Sequence, residues 1–125
     1  MPTYHGSCHC GAVRLEVALA APICRLLECN CSVCTKKGIV HHPAADDELR
    51  VVEGQENLVL YQFHTAQARH WFCGKCGIHT HGRPRNNTGR FTVNARCLDE
   101  FDTIRAGAEL VQFDGKNHPK DTHRD

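Results

Sequence analysis

Hydrophobic and polar residues alternate along several short stretches of this chain, and the alternation predicts β-strands. The pattern is clearest over residues 12–19, where a hydrophobic side chain at every second position predicts a strand with one buried face. A second run of the same kind covers residues 91–97. Both segments are therefore predicted to be strands of a sheet that packs one face against a hydrophobic core.

Other hydrophobic runs predict further short strands, at residues 23–28, 39–42, 49–53, 58–63, 69–72 and 109–113. Pro43 is expected to end the strand before it, and residues 44–48 are the best candidate for a helical turn. Residues 58–63 are apolar on both faces, which predicts a central strand. Many short strands and at most a helical turn or two indicate a mainly β domain.

The length and charge of the chain narrow its organisation and its partners. At 125 residues the chain fits one domain, for which we expect residues 1–113, followed by a loose tail at 114–125. Lys and Arg (15) nearly balance Asp and Glu (14), so nucleic acid is an unlikely partner and a small molecule a better one. No apolar run is long enough to cross a bilayer, and no secretory signal is visible, so we expect a cytoplasmic protein.

Nine cysteines are a high count, and their spacing favours metal binding over disulfides. C-x-C and C-x-x-C pairs are poorly placed to bridge internally but well placed to share a metal ion. Cys8 and Cys10 lie between glycines, and Cys73 and Cys76 lie in a C-G-x-C-G motif that is typical of a zinc knuckle. Together these pairs supply four thiolates, which predicts a closed, structural zinc site.

The stretch from Cys29 to Lys37 predicts a second and different site. Cys29 and Cys31 lie on one face of an extended segment, and a tight turn through 32–33 is expected to bring Cys34 to them. With three protein ligands, the fourth position of a zinc ion stays open for substrate. Three thiolates leave Zn²⁺ with a net negative charge, so the site suits a thiolate ligand better than water activation. Lys36 and Lys37 either offset this charge, meet a substrate carboxylate, or are merely solvated.

Several other residues are weaker candidates for the same sites. Any of four histidines could complete a metal shell: His41, His42, His79 and His81. The last two could also join Cys73 and Cys76 in a site of two cysteines and two histidines. Cys24 and Cys97 are expected to be buried free thiols, with Cys97 a minor candidate for the fourth ligand of the open site.

The order and spacing of seven cysteines resemble those of the glutathione-dependent formaldehyde-activating (GFA) family, which also includes centromere protein V. The motifs are G-S-C-H-C-G at 6–11, C-N-C-S-V-C at 29–34 and F-C-G-K-C-G at 72–77. The resemblance implies a β-tent type domain of mostly antiparallel strands with one structural and one open zinc, two Zn²⁺ per chain. It also implies that glutathione and formaldehyde combine at the open zinc to S-hydroxymethylglutathione, the reverse of a carbon-sulfur lyase reaction.

The leading hypothesis is therefore an enzyme whose open zinc site holds a thiol as thiolate beside an aldehyde. Catalysis would consist mostly of positioning and of a lowered thiol pKa. Two alternatives come from other functional classes. The domain could be a non-catalytic zinc module that binds a protein or nucleic acid, or a metal or redox sensor that acts through Cys29, Cys31 and Cys34.

Overall fold

The computed structural model describes residues 2–62, 68–84 and 90–113, and these residues form a mainly β domain, as predicted. The strands are β1 Thr3–Ser7, β2 Arg14–Ala18, β3 Arg25–Cys29, β4 His41–Ala45, β5 Leu49–Glu53, β6 Leu58–Tyr61, β7 Arg69–Cys73, β8 His79–Arg83, β9 Arg90–Asn94 and β10 Glu109–Phe113. The helices are α1 Ser32–Lys37 and α2 Phe101–Gly107, with 3₁₀ turns at Gln55–Asn57 and Ala95–Cys97. The predicted tail, 114–125, lies outside the described residues.

The described strands form two sheets. β1, β2 and β5 make a three-stranded antiparallel sheet, and the other strands follow the order β10-β3-β4-β9-β8-β7-β6. In this larger sheet only β3 and β10 pair in parallel. Cys8 follows β1 and Cys73 ends β7, so the closed cysteine set lies where the two sheets meet.

The core confirms the alternation predicted at the N-terminal end of the chain. β2 buries Leu15 and Val17 and exposes Arg14 to solvent. These two side chains belong to one continuous hydrophobic cluster that also contains Cys8 and Cys73. Two of the predicted metal ligands are thus anchored in the core of the domain.

The prediction that Pro43 ends its strand is wrong. The helical turn predicted at 44–48 is shorter than expected, because Ala44 and Ala45 belong to the strand and only residues 46–48 form a turn, with the Glu48 amide donating to the Ala45 carbonyl over 2.9 Å. β4 runs through Pro43 to Ala45, with Pro43 opposite Thr92 of β9. On its other edge β4 pairs with β3 only at His41, so the missing N–H of the proline removes no ladder hydrogen bond there. Pairing with β9 therefore keeps the segment extended.

The central strand predicted at 58–63 is also wrong. Within the described residues, β6 pairs only with β7 and is the last strand of the larger sheet. Val59, Leu60 and Tyr61 are each more than 40% exposed. A continuous apolar run does not distinguish a strand covered on both faces from an edge strand whose two faces are both partly open.

The chain between β9 and β10 differs from the single alternating strand predicted at 91–97. β9 ends at Asn94, whose side chain accepts a hydrogen bond from the Arg96 amide and starts a 3₁₀ turn. Helix α2, absent from the prediction, follows and buries Ile104. No helix within the described residues is long and apolar enough to cross a membrane.

Candidate functional site

The closed cysteine set predicted from the sequence comes together in the structure. The Sγ atoms of Cys8, Cys10, Cys73 and Cys76 all lie within 4.8 Å of one another. Cys10 is the bridging member, with its Sγ 3.6 Å from that of Cys8 and 3.8 Å from that of Cys73. A cluster of four sulfurs is the donor set of a closed tetrahedral zinc site, so these residues fit the metal.

Tight turns on both arms of the closed cluster direct backbone N–H groups toward its sulfurs. The amide of Val13 donates to Cys8 Sγ and that of Lys75 to Cys73 Sγ, each over 3.3 Å. Burial acts to raise the pKa of Cys76, but hydrogen bonds from two backbone amides and from the thiols of Cys8 and Cys73 together outweigh it and bring the pKa to about 6. The turn therefore favours the thiolate, which is the form that binds metal.

The close approach of the N-terminal arm to the rest of the core depends on Gly6. A Cβ atom at this position would lie 2.5 Å from the carbonyl oxygen of Cys97. Gly6 instead forms a β-bridge with Leu98. Glycine thus lets β1 reach the chain after β9 immediately before Cys8.

The open cysteine set also converges, but through a helix instead of the predicted tight turn. Cys29 ends β3, Cys31 is the residue at which α1 begins, and Cys34 lies one turn further along the helix. Their Sγ atoms all lie within 4.8 Å of one another. Residues three apart lie on the same face of a helix, which explains how Cys34 meets Cys31.

Helix α1 ends at a glycine that follows two lysines, an arrangement that is typical of helix C-termini. Gly38 adopts a left-handed conformation with φ of 68°, and its amide donates to the carbonyl of Cys34 over 2.9 Å. Lys36 and Lys37 lie in the last turn, where cations interact favourably with the helix dipole. The helix is therefore held to little more than one and a half turns between the cysteines and the glycine.

The electrostatics of the open cluster fit a cation held among its sulfurs. The neighbouring sulfurs of Cys29 and Cys31, followed by burial, raise the pKa of Cys34 far above its ordinary value. Three adjacent thiolates repel one another, which raises their pKa values. A soft divalent cation in contact with all three would instead stabilise the thiolates and lower those pKa values. Among the described residues, no fourth Cys, His, Asp or Glu places a ligand atom within the same distance of all three sulfurs.

His41 lies beside the open cluster without joining it. Its Nε2 is 3.3 Å from Cys34 Sγ, within hydrogen-bonding distance. Burial lowers the pKa of His41 to about 4, although the sulfur of Cys31 acts in the opposite direction. The imidazole is therefore neutral at physiological pH and contacts one sulfur only.

His79 is the second buried histidine near this cluster. Its Nδ1 lies 3.2 Å from Nζ of Lys37, while its Nε2 is buried and has no hydrogen-bond partner among the described residues. Burial, reinforced by the charge of Lys37, lowers the pKa of His79 to about 2. His79 is therefore a neutral imidazole whose Nδ1 accepts a hydrogen bond from the lysine.

The structure separates the two lysines that the sequence treats together. Lys36 and Lys37 are both exposed at the end of α1, and they differ in what they contact. Lys37 contacts His79, and its Nζ lies 5.5 Å from the ring centre of Phe72 and 5.8 Å from that of Tyr61. Burial lowers the pKa of Lys37, although the neighbouring Cys34 acts to raise it. Only Lys37 is in position to meet a ligand at the site.

One cavity adjoins the open cluster, and a second shares the His79 side chain with it. The smaller, about 120 Å³, is lined in part by Cys29, Cys34, His41 and His79, and we call it the cysteine cavity. The larger, about 370 Å³, has Lys37, His79 and Arg96 in its wall, and we call it the groove. His79 lines both, so this side chain lies where the two spaces adjoin.

Other candidates from the sequence lie elsewhere. His81 stacks on Trp71 with 4.9 Å between ring centres and joins neither cysteine cluster. Cys97 is buried as expected, but its Sγ donates to the carbonyl of His79 over 3.4 Å, and burial raises its pKa to about 12. Cys97 is therefore a structural thiol and not a ligand of the open site. Cys24 is exposed, so the prediction that it is buried is wrong.

Arg96 in the groove and the Lys37–His79 contact were missed from the sequence. The groove collects residues from four separate segments, and no local motif marks them as neighbours. The H-T-H segment at 79–81 was noticed only as a set of possible metal ligands. An i, i+3 pattern of Cys31 and Cys34 before a terminal glycine could have revealed the helix.

Comparison with known proteins gives matches to a family model, to curated proteins and to solved structures. The sequence model of the family described as "Glutathione-dependent formaldehyde-activating enzyme" (GFA) matches residues 3–113. A Halomonas elongata protein that provisionally carries the same enzyme name is 35% identical over 79 residues, 57% of this chain and 50% of that protein. The match thus spans half the length of this curated relative. A crystal structure of a Rhodobacter sphaeroides protein has a TM-score of 0.78 and 41% identity, covering 87% of this chain and 99% of that one.

Proposed function

Because the chain belongs to the glutathione-dependent formaldehyde-activating family, we propose that it is an enzyme that combines glutathione with formaldehyde. The product would be S-hydroxymethylglutathione, and the reverse direction is a carbon-sulfur lyase reaction. The observation that carries the proposal is the convergence of Cys29, Cys31 and Cys34 with a small cavity beside them. Three sulfurs with room for further ligands form an open site, which is the arrangement of catalytic metal centres.

We assign a different role to each cysteine cluster. The closed cluster would hold a structural zinc ion, and Cys29, Cys31 and Cys34 would hold a second one, two per chain. At the open position, zinc would favour the thiolate form of a substrate thiol, which is the nucleophilic form. Sulfur-rich sites of this kind require a reducing compartment, consistent with a cytoplasmic protein.

The groove offers a place for the rest of the thiol substrate. Glutathione carries a carboxylate at each end, and Lys37 and Arg96 present cationic groups in the groove wall. The cysteine cavity is too small for a tripeptide but has room for a small aldehyde. Held side by side in this way, the two reactants would gain from proximity and orientation.

Exchange spectroscopy tests the proposal directly. Glutathione and ¹³C-formaldehyde are mixed at equilibrium with zinc-loaded protein, and the rate of adduct exchange is measured by NMR with and without protein. We expect the protein to accelerate exchange, the Cys34→Ser variant to lose the acceleration, and the matched variant Cys24→Ser to keep it. An exchange rate that catalytic amounts of protein leave unchanged would contradict the proposal and favour a non-catalytic zinc module.

A further inference from the structure

We propose that His79 is a further catalytic residue, whose Nε2–H group donates a hydrogen bond to the aldehyde oxygen. Lys37 is the positioning residue that holds His79 in the tautomer able to do this. The inference rests on the proposed function, because it names the group that stabilises the oxygen of the same aldehyde. It follows from the burial of His79, from its contact with Lys37, and from its place between the two cavities.

The backbone around His79 is firmly held. His79 is the first residue of β8 and is only 5% exposed. Its carbonyl oxygen accepts hydrogen bonds from Asn94 Nδ2 at 2.9 Å and from Cys97 Sγ at 3.4 Å. The backbone carbonyl of His79 accepts two hydrogen bonds, so the position of this residue on the strand is fixed. A side chain on such a backbone is suited to hold one direction toward a substrate.

The contact with Lys37 determines which ring nitrogen of His79 carries hydrogen. An ammonium group only donates, so Nδ1, 3.2 Å from Nζ, must be the acceptor. Since burial keeps the ring neutral, its single hydrogen is then on Nε2. This Nε2–H is buried and has no hydrogen-bond partner among the described residues. Buried donors without partners are rare, and a substrate oxygen would satisfy this one.

The placement of His79 directs the free N–H group toward the cysteine cavity. Lys37 lines the groove but not the cavity, so the Nδ1 edge of the ring belongs to the groove. His79 also lines the cavity that Cys29 and Cys34 line, so we infer that the opposite, Nε2 edge of the ring faces this space. A water molecule takes up about 30 Å³ in the liquid, so this cavity has room for a one-carbon carbonyl compound together with the sulfur that attacks it.

The reaction step then balances as follows. The electron pair of the thiolate sulfur forms the C–S bond, and the π electrons of the carbonyl group move to oxygen, which accepts the hydrogen bond from His79. That oxygen keeps the hydrogen bond from His79 Nε2–H and takes up the proton that the thiol released on ionisation, so His79 and Lys37 end the step in the protonation states in which they began it. Thiol plus aldehyde thus gives the hydroxymethyl thioether with no other reactant. Loss of a single donor to a developing oxyanion slows a reaction by roughly 100-fold or more.

Paired substitutions test the donor. His79→Leu removes Nε2–H, whereas His79→Gln keeps an N–H donor on a side chain of similar reach. In protein with confirmed zinc content and fold, we expect His79→Leu to lower the maximal exchange rate about 100-fold without changing the half-saturating glutathione concentration. His79→Gln should recover most of the rate. If His79→Leu keeps the full rate, or if it loses one zinc ion per chain and so identifies His79 as a ligand, the proposal is wrong.

A second measurement does not depend on activity. In ¹⁵N spectra of zinc-loaded protein, His79 should be the Nε2–H tautomer, and formamide, a carbonyl compound that does not react with thiols, should shift its Nε2 signal. Lys37→Met should mix the tautomers, whereas the matched variant Lys36→Met should not. An Nδ1–H tautomer in the wild type, or an Nε2 signal that formamide does not move, would overturn the inference. A wild-type protein that passes these tests but does not catalyse exchange would contradict only the glutathione assignment.

Discussion

Removing one arm of the closed cysteine cluster should cost the domain a large part of its stability. Cys10 and Cys73 are separated by 63 residues along the chain, so a zinc ion held by both arms closes a long loop. In the loop-entropy model, a cross-link of this length stabilises the fold by about 4 kcal/mol. Domains of this size have about 5–15 kcal/mol of total stability. The double variant Cys73→Ser, Cys76→Ser should therefore lose between about a quarter and most of its free energy of unfolding.

Denaturant unfolding, followed by circular dichroism, measures this effect. Serine is nearly the size of cysteine and can still accept the hydrogen bond of the Lys75 amide, so little packing is lost with the metal. Cys24→Ser is the control, because Cys24 is exposed and outside both clusters, and its substitution should change the free energy of unfolding by less than about 0.5 kcal/mol. If the double variant is as stable as this control, then the metal cross-link does not hold the sheets together and the reasoning fails.

Three further outcomes are expected. Cys34→Ser should lower the zinc content from two ions to one per chain while the unfolding midpoint stays near that of wild type, because its ligands are local in sequence. Arg96→Met should raise the half-saturating glutathione concentration several-fold at constant maximal rate, because Arg96 lines the groove and not the cysteine cavity. Burial lowers the pKa of His81 from 6.5 to about 4, so the unfolded chain binds the proton first. His81 should therefore contribute a loss of up to about 1.4 kcal/mol of unfolding free energy per pH unit below pH 6.5, and His81→Phe should remove that contribution from the acid titration.

The parts of the fold that depend on local pattern could be predicted from the sequence. Alternation placed β2 and the buried side chains of Leu15 and Val17, and the zinc-knuckle motif placed the end of β7. The errors arise where the conformation or exposure of a segment depends on which strand pairs with it. Pro43 stays extended because β9 pairs with β4, and Leu60 is exposed because β6 has one neighbour in the described sheet. Neither partner is visible in the local sequence.

The two cysteine clusters could be predicted for a chemical reason. Pairs of cysteines two or three residues apart can bind one metal ion together. Two such pairs on distant segments supply four sulfurs, which is the full ligand set of a tetrahedral site. The sequence also indicated that Cys29, Cys31 and Cys34 lack a fourth ligand, which matches the geometry. It did not indicate the helix, because the expected tight turn satisfies the same spacing.

His79 shows what spacing alone does not reveal about this site. In the sequence it is one of ten histidines, and its type suggests a metal ligand as readily as a hydrogen-bond donor. Its proposed role depends on Lys37, which is 42 residues away along the chain and lies in the last turn of α1. A neutral histidine whose Nδ1 accepts from a lysine carries its hydrogen on Nε2, and His79 lines the same cavity as Cys29 and Cys34. The chemistry of the open cluster therefore depends on a contact between two elements as much as on its three sulfurs.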